Sequence, residues 1–159
     1  MNSLRENKKT LGFIIAVVIA SAILTFLMTM NRTYPLVIQR EGQSRPFYVE
    51  FAGTPAQQEK GLMFRKKLAN NHGMLFIFPD EREVTFWMRN TLIPLDMIFI
   101  DASHKISFIH HKAQPHDETL ISSNGEIIAV LEIPGGQANS QNIAIGDIVK
   151  TPLLAGSKK

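Results

Sequence analysis

Phe86-Trp87-Met88-Arg89-Asn90-Thr91-Leu92-Ile93-Pro94-Leu95-Asp96-Met97-Ile98-Phe99-Ile100-Asp101 is the stretch on which the fold turns. It reads as two extended segments around a tight connection closed by Pro94. Along the first, alternation puts Phe86, Met88 and Asn90 on one face and Trp87 and Arg89 on the other. Along the second, Asp96, Ile98 and Ile100 share a side. Apolar runs this short, rich in β-branched and aromatic residues and bounded by turn chemistry, are strands rather than helices.

The same rhythm extends in both directions. Leu36-Val37-Ile38 and Phe47-Tyr48-Val49-Glu50-Phe51 flank the polar turn Arg40–Arg45 as a hairpin, with Phe47, Val49 and Phe51 on one face. Met74–Phe78 is continuously apolar, as in a strand buried on both sides. Val84–Arg89, Lys105–His110, Ile127–Ile133 and Ile148–Lys150 complete the series. Short strands at roughly 8–12-residue spacing predict a sandwich or barrel. One helix start is legible: Thr54 as N-cap, Pro55 at the first helical position and Gln57 completing a capping box. That helix runs Pro55–Lys60, with Gly61 as terminator. No second helical period appears, which argues against a parallel βαβ sheet.

Around this domain the chain is organised simply. Residues 1–10 form a basic tail, 11–30 an apolar segment, 31–35 a linker, 36–150 the β domain and 151–159 a C-terminal tail. The segment Leu11–Met30 carries no charge and, at 1.5 Å per residue, spans about 30 Å, the thickness of the hydrocarbon core. Its Leu, Ile, Val and Phe residues favour insertion by at most roughly 3–7 kcal/mol. Arg5, Lys8 and Lys9 before it hold the N-terminus inside, so the β domain is expected on the periplasmic or outer side of the cytoplasmic membrane, with the lipid bilayer as a partner. Ala20-Ser21-Ala22 has the form of a signal-peptidase site, but Ile23–Met28 stays apolar beyond it, favouring an uncleaved anchor. The sequence contains no cysteine, excluding thiol catalysis and structural disulfides.

Charge excludes another class. The net +3 lies mostly in the tail; from Asn31 onward 14 Lys and Arg face 13 Asp and Glu. Nucleic-acid binding needs a basic face to release counterions, and none is visible.

Several residues are out of place for pure packing. Asp96 lies in an apolar strand, where a carboxylate must be paired, hydrogen-bonded or protonated. Arg65, Arg89 and the Asn90 amide are its candidate partners, or it accepts backbone N–H groups and pins the Thr91–Pro94 connection. Glu132 poses the same problem, sharing a face with Ile128 and Val130. Asp96 and Glu132 together could form an acid–base pair. Gly146-Asp147 reads as a turn. Met63, Met74, Met88 and Met97 could offer thioethers to Cu(I), yet each sits in an apolar run without metal-ligand spacing. His110, His111 and His116 could form a surface metal site, with a solvated loop the simpler account. No H-E-x-x-H, G-x-S-x-G or P-loop is present, so no catalytic residue, metal ligand or cofactor is assigned.

The strings Gln58–Arg65, Gly73–Phe78 and Phe86–Asp101, followed by Ala113-Gln114-Pro115, Val130-Leu131-Glu132 and Ile145-Gly146-Asp147, resemble the bacterial and archaeal family known as domain of unknown function 192. The resemblance covers about residues 36–150. It implies a compact antiparallel β-sandwich of jelly-roll type, commonly behind a signal peptide or membrane anchor, and no established activity. Arg65, Asn90, Asp96, Glu132 and Asp147 match its polar positions.

The expectation is a binding or accessory module of the cell envelope, with Arg65, Trp87, Asn90 and Asp96 lining a patch for an envelope ligand or protein partner, and Glu132 and Asp147 as further candidates. One alternative is an envelope hydrolase using Asp96 with Glu132; another is an exported metal-handling protein.

Overall fold

The computed structural model describes residues 14–21 and 32–155. The chain divides into two compact units, residues 1–32 and 33–159. Of the first, residues 14–21 are helical (α1), with Ile14, Ile15, Val17, Val18 and Ile19 exposed. The rest of the expected membrane segment Leu11–Met30, including Ala22, lies outside the described residues. Among the described residues, no helix is long and apolar enough to cross a membrane.

The second unit is mostly β. Its strands are β1 (Thr33–Arg40), β2 (Gln43–Ala52), β3 (His72–Arg82), β4 (Thr85–Phe86), β5 (Leu95–Ile100), β6 (Ile106–Ala113), β7 (Ile121–Ser122), β8 (Ile127–Pro134) and β9 (Ile148–Lys150), with helices α2 (Pro55–Lys60) and α3 (Gln137–Ser140) between them. The N-terminus of α2 is built as its sequence predicts. Thr54 Oγ1 accepts the Gln57 N–H at 3.3 Å and Gln57 Oε1 accepts the Thr54 N–H at 3.1 Å. The Gln58 amide then donates to the carbonyls of Ala52 and Ile77, tying α2 to β2 and β3.

Strand pairing corrects two expectations. Seven strands form one mixed sheet in the order β6-β5-β8-β3-β2-β1-β9, beside a two-stranded β4-β7 ribbon, in place of two stacked antiparallel sheets. Within it β2 and β3 run parallel, Tyr48 opposite His72 and Ala52 opposite Phe76. A parallel pair needs a crossover of about a dozen residues. Residues 53–71 supply it, and since α2 covers only part of that length, no long helical period betrays it. Val84–Arg89 also shortens to the two-residue β4, and Phe51 is exposed instead of joining Phe47 and Val49 on their buried face, while Ala52 is buried on the other.

The sheet curls until its edges meet. Lys105 and Ile148 form an isolated bridge, the Ile106 N–H donates to the Asp147 carbonyl at 2.9 Å, and the Val149 N–H donates to His104 at 2.8 Å. The inside packs Leu36, Ile38, Phe47, Val49, Leu75, Ile98, Ile100, Leu131 and Ile133 with Val149. A second core, with Met74, Phe76, Phe78, Met88, Met97, Phe99 and Val130, lies on the other face, with Phe86 of the ribbon packed against it. Both faces of β3, β5 and β8 are therefore covered, which accounts for their continuous apolar sequences.

Candidate functional site

Alternation on these doubly covered strands decides which way each acid points. In the β5–β8 ladder Asp96 stands opposite Ile133 and Met97 opposite Glu132. Asp96 shares its parity with Ile98 and Ile100, and Glu132 with Val130. The two carboxyls thus occupy opposite faces of one sheet, and the expected acid–base pair does not form.

Asp96 is fully buried and completely engaged. Its Oδ1 accepts the N–H groups of Lys112 at 2.8 Å and Gly136 at 2.9 Å, and its Oδ2 accepts the Ala138 N–H at 2.8 Å. It fastens the end of β6 and the turn into α3 to β5. The expected acceptance of backbone N–H groups is found, though on Lys112, Gly136 and Ala138 rather than in the Thr91–Pro94 connection, and none of the candidate side chains Arg65, Arg89 and Asn90 bonds to it. Arg65 instead makes a two-pronged ion pair with Glu50, at 2.5 and 2.6 Å. The Arg89 guanidinium lies 5.6 Å from the Trp87 ring centre, and Asn90, at φ 55°, offers its carbonyl to the Phe64 N–H at 2.8 Å. Asp96 therefore does not join the expected patch; Trp87 and Asn90 do share a shallow surface groove with Phe64 and Arg89.

Asp147 is also engaged structurally. It is buried, ion-paired to Arg40 and accepts the Ala144 N–H at 3.0 Å, closing the turn before β9. Met74, Met88 and Met97 are buried in the second core. Among the described residues, no three His, Asp or Glu side chains approach closely enough to hold a metal ion.

Glu132 is different. It is 5% exposed, and its Oε2 is buried with no hydrogen-bond partner among the described residues. Burial pushes its carboxyl up to about 8, so the acid is largely protonated at neutral pH. It lines a cavity of about 410 Å³ together with Leu62, Phe76, Phe78, Phe86, Trp87 and Thr91. A cavity of this size suits a small organic molecule. Phe86 is fixed edge-on against Phe76 (5.3 Å, 88°) and Phe99 (6.2 Å, 84°), so the wall is preformed. The Arg82 guanidinium lies 4.9 Å from the Phe78 ring centre. Lys60, Arg82, Glu59 and Glu83 also line it, as exposed side chains of both signs.

Sequence alone brings out Trp87 and Glu132. It misses Phe76, Phe78 and Phe86 as a wall, because each reads as ordinary core and only the tertiary packing shows an open side. The capping box at Thr54, which places α2, was the available signal that this edge is built over.

The described residues from Thr33 onward thus form a small, mostly β domain built on one curled mixed sheet, with the Glu132 acid unpartnered in an aromatic-lined cavity. The chain belongs to the family of domain of unknown function 192, described as "Uncharacterized ACR", whose model matches residues 36–151. It is similar to two proteins of known structure. One, from Sinorhizobium meliloti 1021 and described as a candidate transcription regulator, is 38% identical, with a TM-score of 0.73 over 75% of this chain and 93% of that one. The other, a protein of unknown function from Novosphingobium aromaticivorans DSM 12444, is 42% identical, with a TM-score of 0.72 over 74% of this chain and 84% of that one. No curated protein matches the chain.

Proposed function

We propose that this chain is a membrane-tethered binding module of the cell envelope, its β domain held outside the cytoplasmic membrane by Leu11–Met30 and its ligand taken into the Glu132 cavity. The observation that carries the binding half is the Glu132 carboxyl: buried, unpartnered and facing a preformed aromatic wall. A buried polar group without a partner costs about 1–3 kcal/mol, which a ligand supplying the missing hydrogen bond would recover. Support for the tether is the uncharged Leu11–Met30 segment behind a basic tail.

The hydrolase alternative is set aside because its two carboxyls face apart. A nucleic-acid role, by analogy with the description of the S. meliloti relative, finds no support in the nearly neutral charge from Asn31 onward.

Trp87 is the only tryptophan and lines the cavity, so its emission reports occupancy. Titrating the full chain in lipid nanodiscs with 2-phenylethanol, phenethylammonium and phenylacetate should give a saturable change with at least one of them. Silence from all three overturns the cavity as a binding site. Carbonate-washed membranes should retain the chain, and protease applied outside intact spheroplasts should remove the β domain. Recovery in the soluble cell fraction overturns the tether. A mature N-terminus at Ile23 would convert the anchor into a cleaved export signal.

A further inference from the structure

The interior of the Glu132 cavity has a consistent sign. Its lining includes Phe76, Phe78, Phe86 and Trp87, aromatic rings whose faces carry negative partial charge, and two of them already lie by guanidinium groups, Phe78 by Arg82 and Trp87 by Arg89. Its one buried ionisable group is an acid, and the buried lining contains no cation. At the exposed lining, Lys60 and Arg82 are formally balanced by Glu59 and Glu83, so the mouth itself selects neither sign. Resting on the binding function proposed above, we infer that the cavity takes an organic ammonium: a primary or quaternary amine whose cation meets the Glu132 carboxylate and whose apolar body lies against the aromatic wall.

The chemistry of this pairing is specific. Aromatic faces attract ammonium groups, most strongly when desolvated. A buried carboxylate needs either several hydrogen-bond donors, as Asp96 has, or a counter-charge. The buried Glu132 oxygen has no donor among the described residues. An anion would meet negative ring faces and an acid. A neutral hydroxyl would satisfy the Glu132 oxygen but gain nothing from the rings beyond apolar contact.

Binding also moves a proton. The empty site holds Glu132 as the neutral acid, as its burial dictates. An incoming ammonium replaces that proton as the positive partner: ligand ammonium plus carboxylic acid gives an ammonium–carboxylate pair and one released proton. The groups facing Glu132 leave this event to Glu132 itself. Its ladder neighbours Met74 and Met97 are uncharged, the ribbon offers Thr85 and Phe86, and the following segment Trp87 and Thr91. The charged groups are Glu59 and Lys60 on α2, and Arg82 and Glu83 at the end of β3, all exposed.

The test is calorimetry on the full chain in nanodiscs with three probes of one shape: phenethylammonium, 2-phenylethanol and phenylacetate. Phenethylammonium should bind at least tenfold more tightly than the alcohol. At pH 7 it should release about one proton, read from buffers of different ionisation heat, and its affinity should rise about tenfold per pH unit below pH 8. Glu132→Gln, isosteric and neutral, should abolish both the preference and the proton release. Phe86→Ala should weaken the ammonium without abolishing the proton release. If the alcohol or phenylacetate binds as well as the ammonium and Glu132→Gln weakens it, the cavity stands and the cationic ligand class is overturned. If none of the three binds, the inference and the proposed binding function fall together.

Discussion

Asp96 and Glu132 stand one rung apart on the neighbouring strands β5 and β8, yet their carboxyls project from opposite faces of the sheet. One accepts three backbone N–H groups and is part of the frame. The other has a buried oxygen without a partner and opens onto a cavity. The contrast predicts opposite responses to similar substitutions.

Asp96→Ala should destabilise the domain by about 3 kcal/mol or more, because it strands three backbone donors with no water to replace the carboxylate. Asp96→Asn should also destabilise, since its NH2 would oppose an N–H donor. Urea unfolding followed by circular dichroism measures both. A loss below about 1 kcal/mol for the alanine variant would show that the three N–H groups find other acceptors.

Glu132→Gln should remove a pH dependence. The folded-state carboxyl titrates near 8 and the unfolded one near 4.5, so the folded state holds the extra proton between those values. Stability from this group is fully present below pH 4.5 and falls as pH rises toward 8, with a limiting slope of about 1.4 kcal/mol per pH unit. Wild-type unfolding free energies measured from pH 5 to 8 should decline more steeply than those of the glutamine variant. Parallel profiles would mean that Glu132 ionises freely in the folded chain.

Gly73→Ala should disturb β3 where it runs beside β8 in the sheet. A Cβ there would lie 2.4 Å from the Glu132 carbonyl and 3.1 Å from Ile133 Cγ2, and backbone cannot swing aside as a side chain does. A destabilisation of about 2–3 kcal/mol is expected. Because the displaced backbone is that of Glu132 itself, probe binding should weaken along with the melting temperature. A variant as stable as the wild type would show slack between the two strands.

Arg65 and Glu50 should prove coupled in a double-mutant cycle. Their two-pronged, partly buried geometry favours a coupling of about 1 kcal/mol, discounted from a buried pair because the Arg65 side chain retains 28% exposure. Arg65→Lys should recover less than half of it, a compact ammonium being unable to match both carboxylate oxygens.

Sequence alone settled what depends on local chemistry. The α2 capping box was legible because its atoms lie within four residues. The doubly buried strands were legible because a strand covered on both faces must be apolar throughout. Family membership followed from contiguous strings such as Phe86–Asp101. Asp96 and Glu132 stood out because a carboxyl in an apolar strand is costly wherever the strand lies. What only the tertiary structure decided was direction and partnership. The parallel β2–β3 pairing, the closure of β6 against β9 and the opposite facing of Asp96 and Glu132 depend on register between segments far apart in the chain. A one-residue change of parity would have exchanged frame and cavity. No local pattern encodes which of two buried acids meets backbone donors and which meets open space.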